Sequence, residues 1–503
     1  MSTQHGSGNG GHGTQHEEVE LKYEVDDDFT LPDLDGLLPA EPEEVQHLVA
    51  TYFDTADSRL GAAQTTLRRR TGGEDAGWHA KLPGAKGARR EIRLPLGRPG
   101  TVPAKLRDLL RAQTRGATLT PVAELRTERS VRRVRADDGS VLAEVVDDRV
   151  RAVRLNGEGE PSAWRELEVE LVGGDRDLLD SIDARLRDGG VRRAGHTSKL
   201  SRALGRAETA ERLHRKSSAR RVLQAHLAEQ VHTIVRQDPL VRLDAEDAVH
   251  QMRVATRRLR SALKTWRALL DTGVTEPLRA ELTWLAGVLG EARDAEVMRD
   301  RLLAAVDDEP GAARVGEVRE VLSSTMDARY RAAHDRVLAE LDGPRYQALL
   351  AALDELAAGA PWTRAARGRA VDVLPPLLGK AHRGLRKRVR TAVGTGEDEA
   401  FHDVRKKAKE VRYAAEALTP AFGKRAKEYA KAVEGVQEVL GDHQDSVVTR
   451  DLLRELATPQ AGVAVFTYGR LHAQEEARGV VTRDGFDAAW RVASRPSLRA
   501  WLG

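Results

Sequence analysis

The sequence predicts an α+β chain of two domains: an N-terminal antiparallel β-barrel with helices, then an all-α half built as two pseudo-symmetric helical bundles. Three observations predict it. Up to Leu204 the chain alternates in steps of two and is broken by Gly, Pro and Asp; beyond about Arg215 it becomes Ala/Leu/Arg/Glu-rich at helical spacing; and that second half repeats itself. With 503 residues there is room for two or three domains of ordinary size.

Residues 1–16, MSTQHGSGNGGHGTQH, are Gly- and His-rich and predict a disordered tail. They contain no secretory or membrane segment, and no later apolar run approaches the roughly 18 residues that span a bilayer, so a cytoplasmic protein with no membrane partner is expected. From Glu17 to Leu204 the stretches EVELKYEV, TTLRRR, WHAKLP, REIRLPL, SVLAEVVDD and WRELEVEL read as strands. Charged side chains recur on one face of strand after strand, where a simple sandwich would carry apolar ones. Turned inward, that face makes a charge-lined channel. Residues 205–214 predict a linker, and 215–503 the helical domain.

In the helical half, VHQMRVATRRLRSAL (249–263) is echoed by FHDVRKKAKEVRYAA (401–415), His402 repeating His250 at an offset of 152. Each copy is followed by a related segment, VLGEARDAEVM from Val288 and VLGDHQDSVV from Val439. Two matching helices across one shared cleft are the expected consequence. His250, Arg253, Arg257 and Arg260 form a stripe at spacings of three and four; His402, Arg405, Lys409 and Arg412 form its partner. No acid occurs between Val249 and Lys264. Stacked cations repel by a few tenths of a kcal/mol per pair, so a helix that keeps four of them predicts an anionic partner. The run KAHRGLRKRVR (380–390) predicts a further basic helix, while Asp294 and Asp445 read as helix–helix ion-pair or hydrogen-bonding groups.

The strands carry the other constellation. EVELK sets Glu18, Glu20 and Lys22 on one strand face, offering two carboxylates to a metal and an ammonium to phosphate. WRELEVEL adds Glu166, Glu168 and Glu170, and LAEVVDD adds Glu144 and Asp148; carboxylates so grouped need cations to coexist. Against them stand Arg68 with Arg70, Arg89 with Arg93, Lys81 and Arg129, whereas alternation sends Arg69 outside. With no cysteine, a metal must be held by oxygen or imidazole, so Mg²⁺ or Mn²⁺ leads. A lining of acids and bases together fits a metal–triphosphate complex.

HxxRVxxRRxR and its HxxRKxxKxxR echo resemble the CHAD domain, and EVELK, YFDT (52–55), LRRR, AKLP, WRELEVEL and SKL (198–200) together resemble the CYTH domain. The first resemblance implies paired four-helix bundles with a groove for long-chain inorganic polyphosphate, lined by the two stripes. The second implies a triphosphate tunnel: metal ligands Glu18, Glu20, Glu168 and Glu170; phosphate ligands Lys22, Arg68, Arg70, Lys81, Arg89, Arg129 and Lys199; and a catalytic strand of Glu18, Glu20 and Lys22. The sequence departs from the family at Asp148-Arg149-Val150, where Asp-x-Gly is usual, and at Lys406 and Lys409, which keep charge but lose the guanidinium fork. YFDT reads as architectural.

The expected function is divalent-metal-dependent hydrolysis of inorganic tripolyphosphate, ahead of thiamine or nucleoside triphosphates, coupled to polyphosphate binding. The rival is a non-catalytic polyphosphate-binding or granule-associated scaffold; adenylyl cyclase follows only from the family name. There is no GxxxxGK loop, which excludes P-loop kinase machinery. Nucleic acid is disfavoured because aromatics are 4% of residues and net charge is only +3.

Overall fold

The computed structural model describes residues 14–32, 38, 42–84, 88–156, 160–196, 198–205, 212–311, 317–458 and 464–502. Of the expected tail, residues 1–13 lie outside these, as does 206–211 of the expected linker. The chain divides into two compact units, Met1–Ala210 and Glu211–Gly503.

The first unit is built on one antiparallel sheet of ten strands: β1 (Thr14–Glu18), β2 (Glu20–Val25), β3 (Glu44–Asp54), β4 (Thr66–Thr71), β5 (Gly77–Pro83), β6 (Arg89–Leu94), β7 (Thr120–Arg135), β8 (Val141–Arg154), β9 (Ser162–Leu171) and β10 (Arg192–Arg193). The order β1-β6-β5-β4-β3-β7-β8-β9-β2-β10 brings the sheet back on itself, because only Val19 separates β1 from β2. One segment therefore pairs with β6 through its first half, Glu18 opposite Arg89, and with β9 through its second, Glu20 opposite Glu170. The first strand begins at Thr14, inside the segment expected to be tail. Pairing with β6 satisfies backbone groups that a free tail would leave to water.

Short helices α1 (Arg59–Ala62), α2 (Ala104–Leu109) and α3 (Arg111–Thr114) join the strands; α4 (Arg176–Asp188) and α5 (Lys199–Ala203) follow them. Alternation divides each strand between two environments. Tyr23, Val145, Leu167 and Val169 point out of the curled sheet and pack under Leu179, Ile182 and Leu186 of α4. Each such fully buried side chain contributes about 1.5–3 kcal/mol, which lets the opposite face be charged.

The second unit is helical. It contains α6 (Ala219–Arg242), α7 (Ala248–Thr265), α8 (Thr272–Asp307), α9 (Val318–Asp342) and α10 (Pro344–Gly359), then α11 (Ala370–Thr395), α12 (Asp398–Phe422), α13 (Lys424–Ala457), α14 (Ala464–Asp484), α15 (Phe486–Ala493) and α16 (Pro496–Arg499). Neighbours pack in sequence, α6 to α9 and α11 to α14, and α7 meets α12 between the two sets. Buried Val249, Met252, Ala255, Thr256 and Leu259 give α7 its inner stripe; Phe401, Val404, Ala408 and Val411 do the same for α12. The pseudo-two-fold relation shows in a reciprocal exchange of backbone hydrogen bonds at equivalent positions: Ala219 N–H donates to Gly368 O and Ala370 N–H to Ser217 O, both at 2.8 Å. Among the described residues, no helix is long and apolar enough to cross a membrane.

Candidate functional site

The inward faces of the strands enclose a cavity of about 70 Å³. Glu18, Glu20 and Lys22 enter from β1 and β2, Arg68 and Arg70 from β4, Lys81 from β5, Arg89 and Arg93 from β6, Arg129 from β7, and Glu168 and Glu170 from β9. Of the acids grouped in the sequence, Glu144 stays away from this cavity and pairs with Arg133 at 2.9 Å, and Asp148 and Glu166 stand behind its lining; every residue expected as a metal or phosphate ligand lines it. The last arrives by a different route: α5 is N-capped by Ser198, which accepts from Ser201 N–H at 3.1 Å, and is anchored by buried Leu200 and Ala203, so Lys199 at its start reaches inside. This gives the SKL motif its mechanics.

Three lysines clamp the carboxylates. Lys199 Nζ lies 2.9 Å from Asp148, 2.7 Å from Glu166 and 2.7 Å from Glu168. Lys22 joins Glu20, at 2.8 Å, to Glu168, and Lys81 holds Glu18 at 2.5 Å. Arg129 grips Asp148 with both arms of its fork, at 2.8 and 2.7 Å, and reaches Glu168 at 3.1 Å. Burial opposes charge on Glu168, but Lys199, Lys22 and Arg129 outweigh it and hold that carboxyl well below the usual range. Burial likewise opposes charge on Lys22, and Glu168 and Glu20 overcome it.

Glu170 differs. Among the described residues no cation lies within ion-pair distance of it, and burial, with the Glu18 carboxylate beside it, pushes its carboxyl up to about 7. Glu18 is also raised, by burial first and by Glu91, in spite of Lys81. Cation demand is thus concentrated at Glu18 and Glu170; burial opposes charge on Glu20 as well, but Lys22 outweighs it and holds that carboxyl low. Oxygens of Asp148, Glu166 and Glu168 also converge to within 4.8 Å, but Lys199 already sits among them.

Three residues join the site without having been expected from the sequence. Glu91, fully buried, approaches Arg68 at 3.8 Å and Lys81 at 3.9 Å, pairs with Arg93 and bonds His79 Nδ1 at 2.9 Å. Its signal is present in the sequence, since 89, 91 and 93 share strand parity. Asp75 pairs with Arg70 from the β4–β5 turn, where no periodicity operates. Tyr52, expected to be architectural, lines the cavity, and its hydroxyl accepts from Arg68 at 3.4 Å. Asp54 is architectural as expected, accepting from the N–H groups of Thr55, Leu60 and Gly61. Arg69 does lie outside, donating to the Leu96 carbonyl at 3.3 Å.

In the helical unit the two stripes come together, and only part of each remains open. A cleft of about 280 Å³ is lined by Arg257, Arg260, Lys264 and Arg279 and by Lys406, Lys409 and Tyr413. Arg253 and Arg405 turn away at equivalent positions: each guanidinium lies over a glycine of the neighbouring helix, Gly290 or Gly441, and pairs with Asp294 at 3.1 Å or Asp445 at 3.6 Å. Arg412 pairs with Glu434 and, at 3.4 Å, with Glu416. His250 and His402 are not among the cleft's lining residues. Arg257, Arg260 and Lys409 have no acidic partner among the described residues. Burial first, then Arg257, Arg405 and Arg253, pushes Lys409 down to about 6.

A curled sheet whose acids and bases alternate around a closed interior makes a charge-lined tunnel, and the second unit is a helical domain of two related halves. The CYTH domain family matches residues 16–194 and the CHAD domain family residues 225–454. The chain is 38% identical over 513 residues to the uncharacterized protein Rv2226 of Mycobacterium tuberculosis (strain ATCC 25618 / H37Rv), covering 97% of this chain and 98% of that one. Among solved structures it is similar to PptA from Streptomyces chartreusis (25% identity, TM-score 0.46, 55% of this chain and 100% of that one). It is also similar to the CHAD domain from the plant Ricinus communis (30% identity, TM-score 0.44, 57% of this chain and 96% of that one). The chain belongs to the CYTH–CHAD proteins: a triphosphate-tunnel domain followed by a CHAD domain.

Proposed function

We propose that the tunnel hydrolyses inorganic tripolyphosphate with a divalent cation, Mg²⁺ or Mn²⁺, and that the helical cleft binds long-chain polyphosphate, in the cytoplasm. The observation that carries the first half is the sorting of charge along the cavity. Glu170 has no cation partner among the described residues and, like Glu18, is pushed up by burial, with Glu20 beside them, while Arg68, Arg70, Lys81 and Arg129 line the same cavity where anionic oxygens would lie. Hard carboxylate oxygens, one of them with no cation partner, fit a hard divalent ion. Glu18, Glu20 and Glu170 would hold it, with Glu168 shared between it and Lys199.

When bound, the ion supplies charge that offsets the phosphate oxygens. The chain's own residues do the rest. Arg68, Arg70 and Arg129 bind the three phosphoryl groups in a fixed line; Lys22 and Lys81 exchange a carboxylate for phosphate oxygen and stabilise the charge spread over the transferring group. Tyr52 holds Arg68 in place. A water enters in line with the terminal phosphorus and its P–O bond forms as the bridging P–O bond breaks, its proton passing to a phosphate oxygen of the products, giving diphosphate and phosphate. No residue forms a covalent bond.

Phosphate release from tripolyphosphate, ATP and thiamine triphosphate, each with Mg²⁺ and with Mn²⁺, tests the reading. Tripolyphosphate turnover well above the other two is expected. No release from any of them with either ion would leave the tunnel a binding site, the scaffold alternative.

A further inference from the structure

The basic run expected as a helix is on α11, and the stripes do not account for it. Lys380, Arg383, Arg386, Lys387, Arg388 and Arg390 are all exposed. Among the described residues, none of the six has an acidic side chain within ion-pair distance, although many exposed arginines elsewhere on the helices are answered. From Val373 to Gly396 there is no Asp or Glu at all.

Two structural explanations fail. Cations favour a helix C-terminus, but the effect fades beyond the last turn, and Arg390 stands five residues before the final Thr395. Nor does the bundle need them. The equivalent stretch of α6, placed by the reciprocal hydrogen bonds of Ala219 and Ala370, carries only Arg236, and Glu229 answers it at 2.7 Å. The two repeats share a fold and differ in this surface.

The row is continuous with the cleft. Gly384 lies on the α11 surface beside Lys380, Lys387 and Arg388 at spacings of three and four, and Lys407 Cε comes within 3.1 Å of where its Cβ would be. Lys407 pairs with Glu410, which also holds the cleft residue Lys264 at 2.8 Å. No aromatic side chain stands in the row to stack on a base, and Val393 is the only exposed large apolar side chain of α11 to enter a bilayer. From Lys380 to Arg390 the row runs about 15 Å along the helix.

We propose that the exposed face of α11 is a second polyanion-binding surface, on which a linear inorganic polyphosphate held in the α7–α12 cleft continues. This rests on the cleft being a polyphosphate site. The cleft fixes one stretch of the polymer, and α11 adds affinity only for chains long enough to overhang it.

The test uses the full chain carrying K380Q, R383Q, K387Q and R390Q, substitutions at exposed positions whose fold is checked by circular dichroism and thermal melting. Binding of long-chain polyphosphate is titrated over a range of salt. The expected result is at least a tenfold weaker Kd and a slope of log K against log salt reduced by about 3, four contacts at roughly 0.7 each. The cleft variant R257E/K409E serves as comparison. An α11 variant that binds as the unmodified protein does, while the cleft variant loses binding, overturns the α11 surface and leaves the cleft intact. No polyphosphate binding by the unmodified protein overturns both. Duplex DNA or phosphatidylglycerol vesicles that displace polyphosphate at equal phosphate concentration, through these four residues, overturn the assigned partner.

Discussion

Around the tunnel, among the described residues, eight cations face eight carboxylates: Lys22, Arg68, Arg70, Lys81, Arg89, Arg93, Arg129 and Lys199 against Glu18, Glu20, Asp75, Glu91, Asp148, Glu166, Glu168 and Glu170. In the helical cleft, among the described residues, Arg257, Arg260 and Lys409 face one another with no acid of their own, and the one carboxylate in the lining, Glu410, is held by Lys264 and Lys407. Both regions are rich in Lys and Arg, and they prepare for anions in opposite ways. A balanced lining selects: phosphate must displace carboxylates from lysines, and the displaced carboxylates then require a metal. An unbalanced lining attracts any polyanion and costs stability until one arrives. The first arrangement suits chemistry on a small molecule, the second capture of a long one.

The largest expected effect breaks the balance on the acid side. Glu20→Gln removes a proposed metal ligand beside Glu170, and tripolyphosphate hydrolysis should fall to background with either metal while the melting temperature without metal stays within a few degrees. Retained turnover would move the metal to Asp148, Glu166 and Glu168. Glu170→Gln sharpens the same point: without metal at pH 8 it should raise the melting temperature, since it deletes an unanswered buried charge, and it should still slow hydrolysis. On the basic side, Arg70→Ala should lower kcat/KM by about 10–100-fold, the equivalent of roughly 1.5–3 kcal/mol for a charge-assisted contact. Unchanged kinetics would remove that strand from the phosphate path.

In the cleft, Arg257→Glu with Lys409→Glu should weaken polyphosphate binding more than either change alone, because equivalent residues of the two repeats form opposite walls. A double variant that binds no more weakly than the worse of the two single ones would break that reading. Raising the salt should weaken binding by the unmodified protein, as counterion release requires.

The contrast between the two regions also explains which parts are legible in the sequence. Strand parity exposes one face at a time, so Glu18, Glu20, Lys22, Arg68, Arg70, Glu168 and Glu170 can be placed together from alternation alone. Lys199 cannot: it comes from a helix turn beyond α4, and only the SKL resemblance points to it. Asp75 sits in a turn with no period at all. In the helical unit the stripes are plain, but which of their cations stay open depends on Asp294, Asp445 and Glu434, supplied by other helices through packing. Spacing along one helix does not contain that information. His443 shows the same limit, its partners Asp398 and the Gly479 carbonyl coming from α12 and α14.

The smallest expected effect tests whether the cleft is held under electrostatic stress. Lys409 titrates near 6 in the folded protein and at an ordinary 10.5 when unfolded, burial and Arg257 being the first causes. Between those values the unfolded chain binds one more proton than the folded one, so this residue makes stability rise with pH across that window and contribute nothing further above it. The full linkage would be about 1.4 kcal/mol per pH unit, and partial exposure of the ammonium reduces it to a fraction of that. Lys409→Met should therefore raise the melting temperature most near pH 6–7 and flatten its dependence on pH, while weakening polyphosphate binding. In the unmodified protein a bound polyanion should restore the charge, so binding at pH 8 takes up protons, seen as binding heats that differ between buffers of different ionisation enthalpy. Equal heats in all buffers, or a Lys409→Met protein that melts with the same pH profile as the original, would show that the cleft holds its cations without strain and that Lys409 is charged from the start.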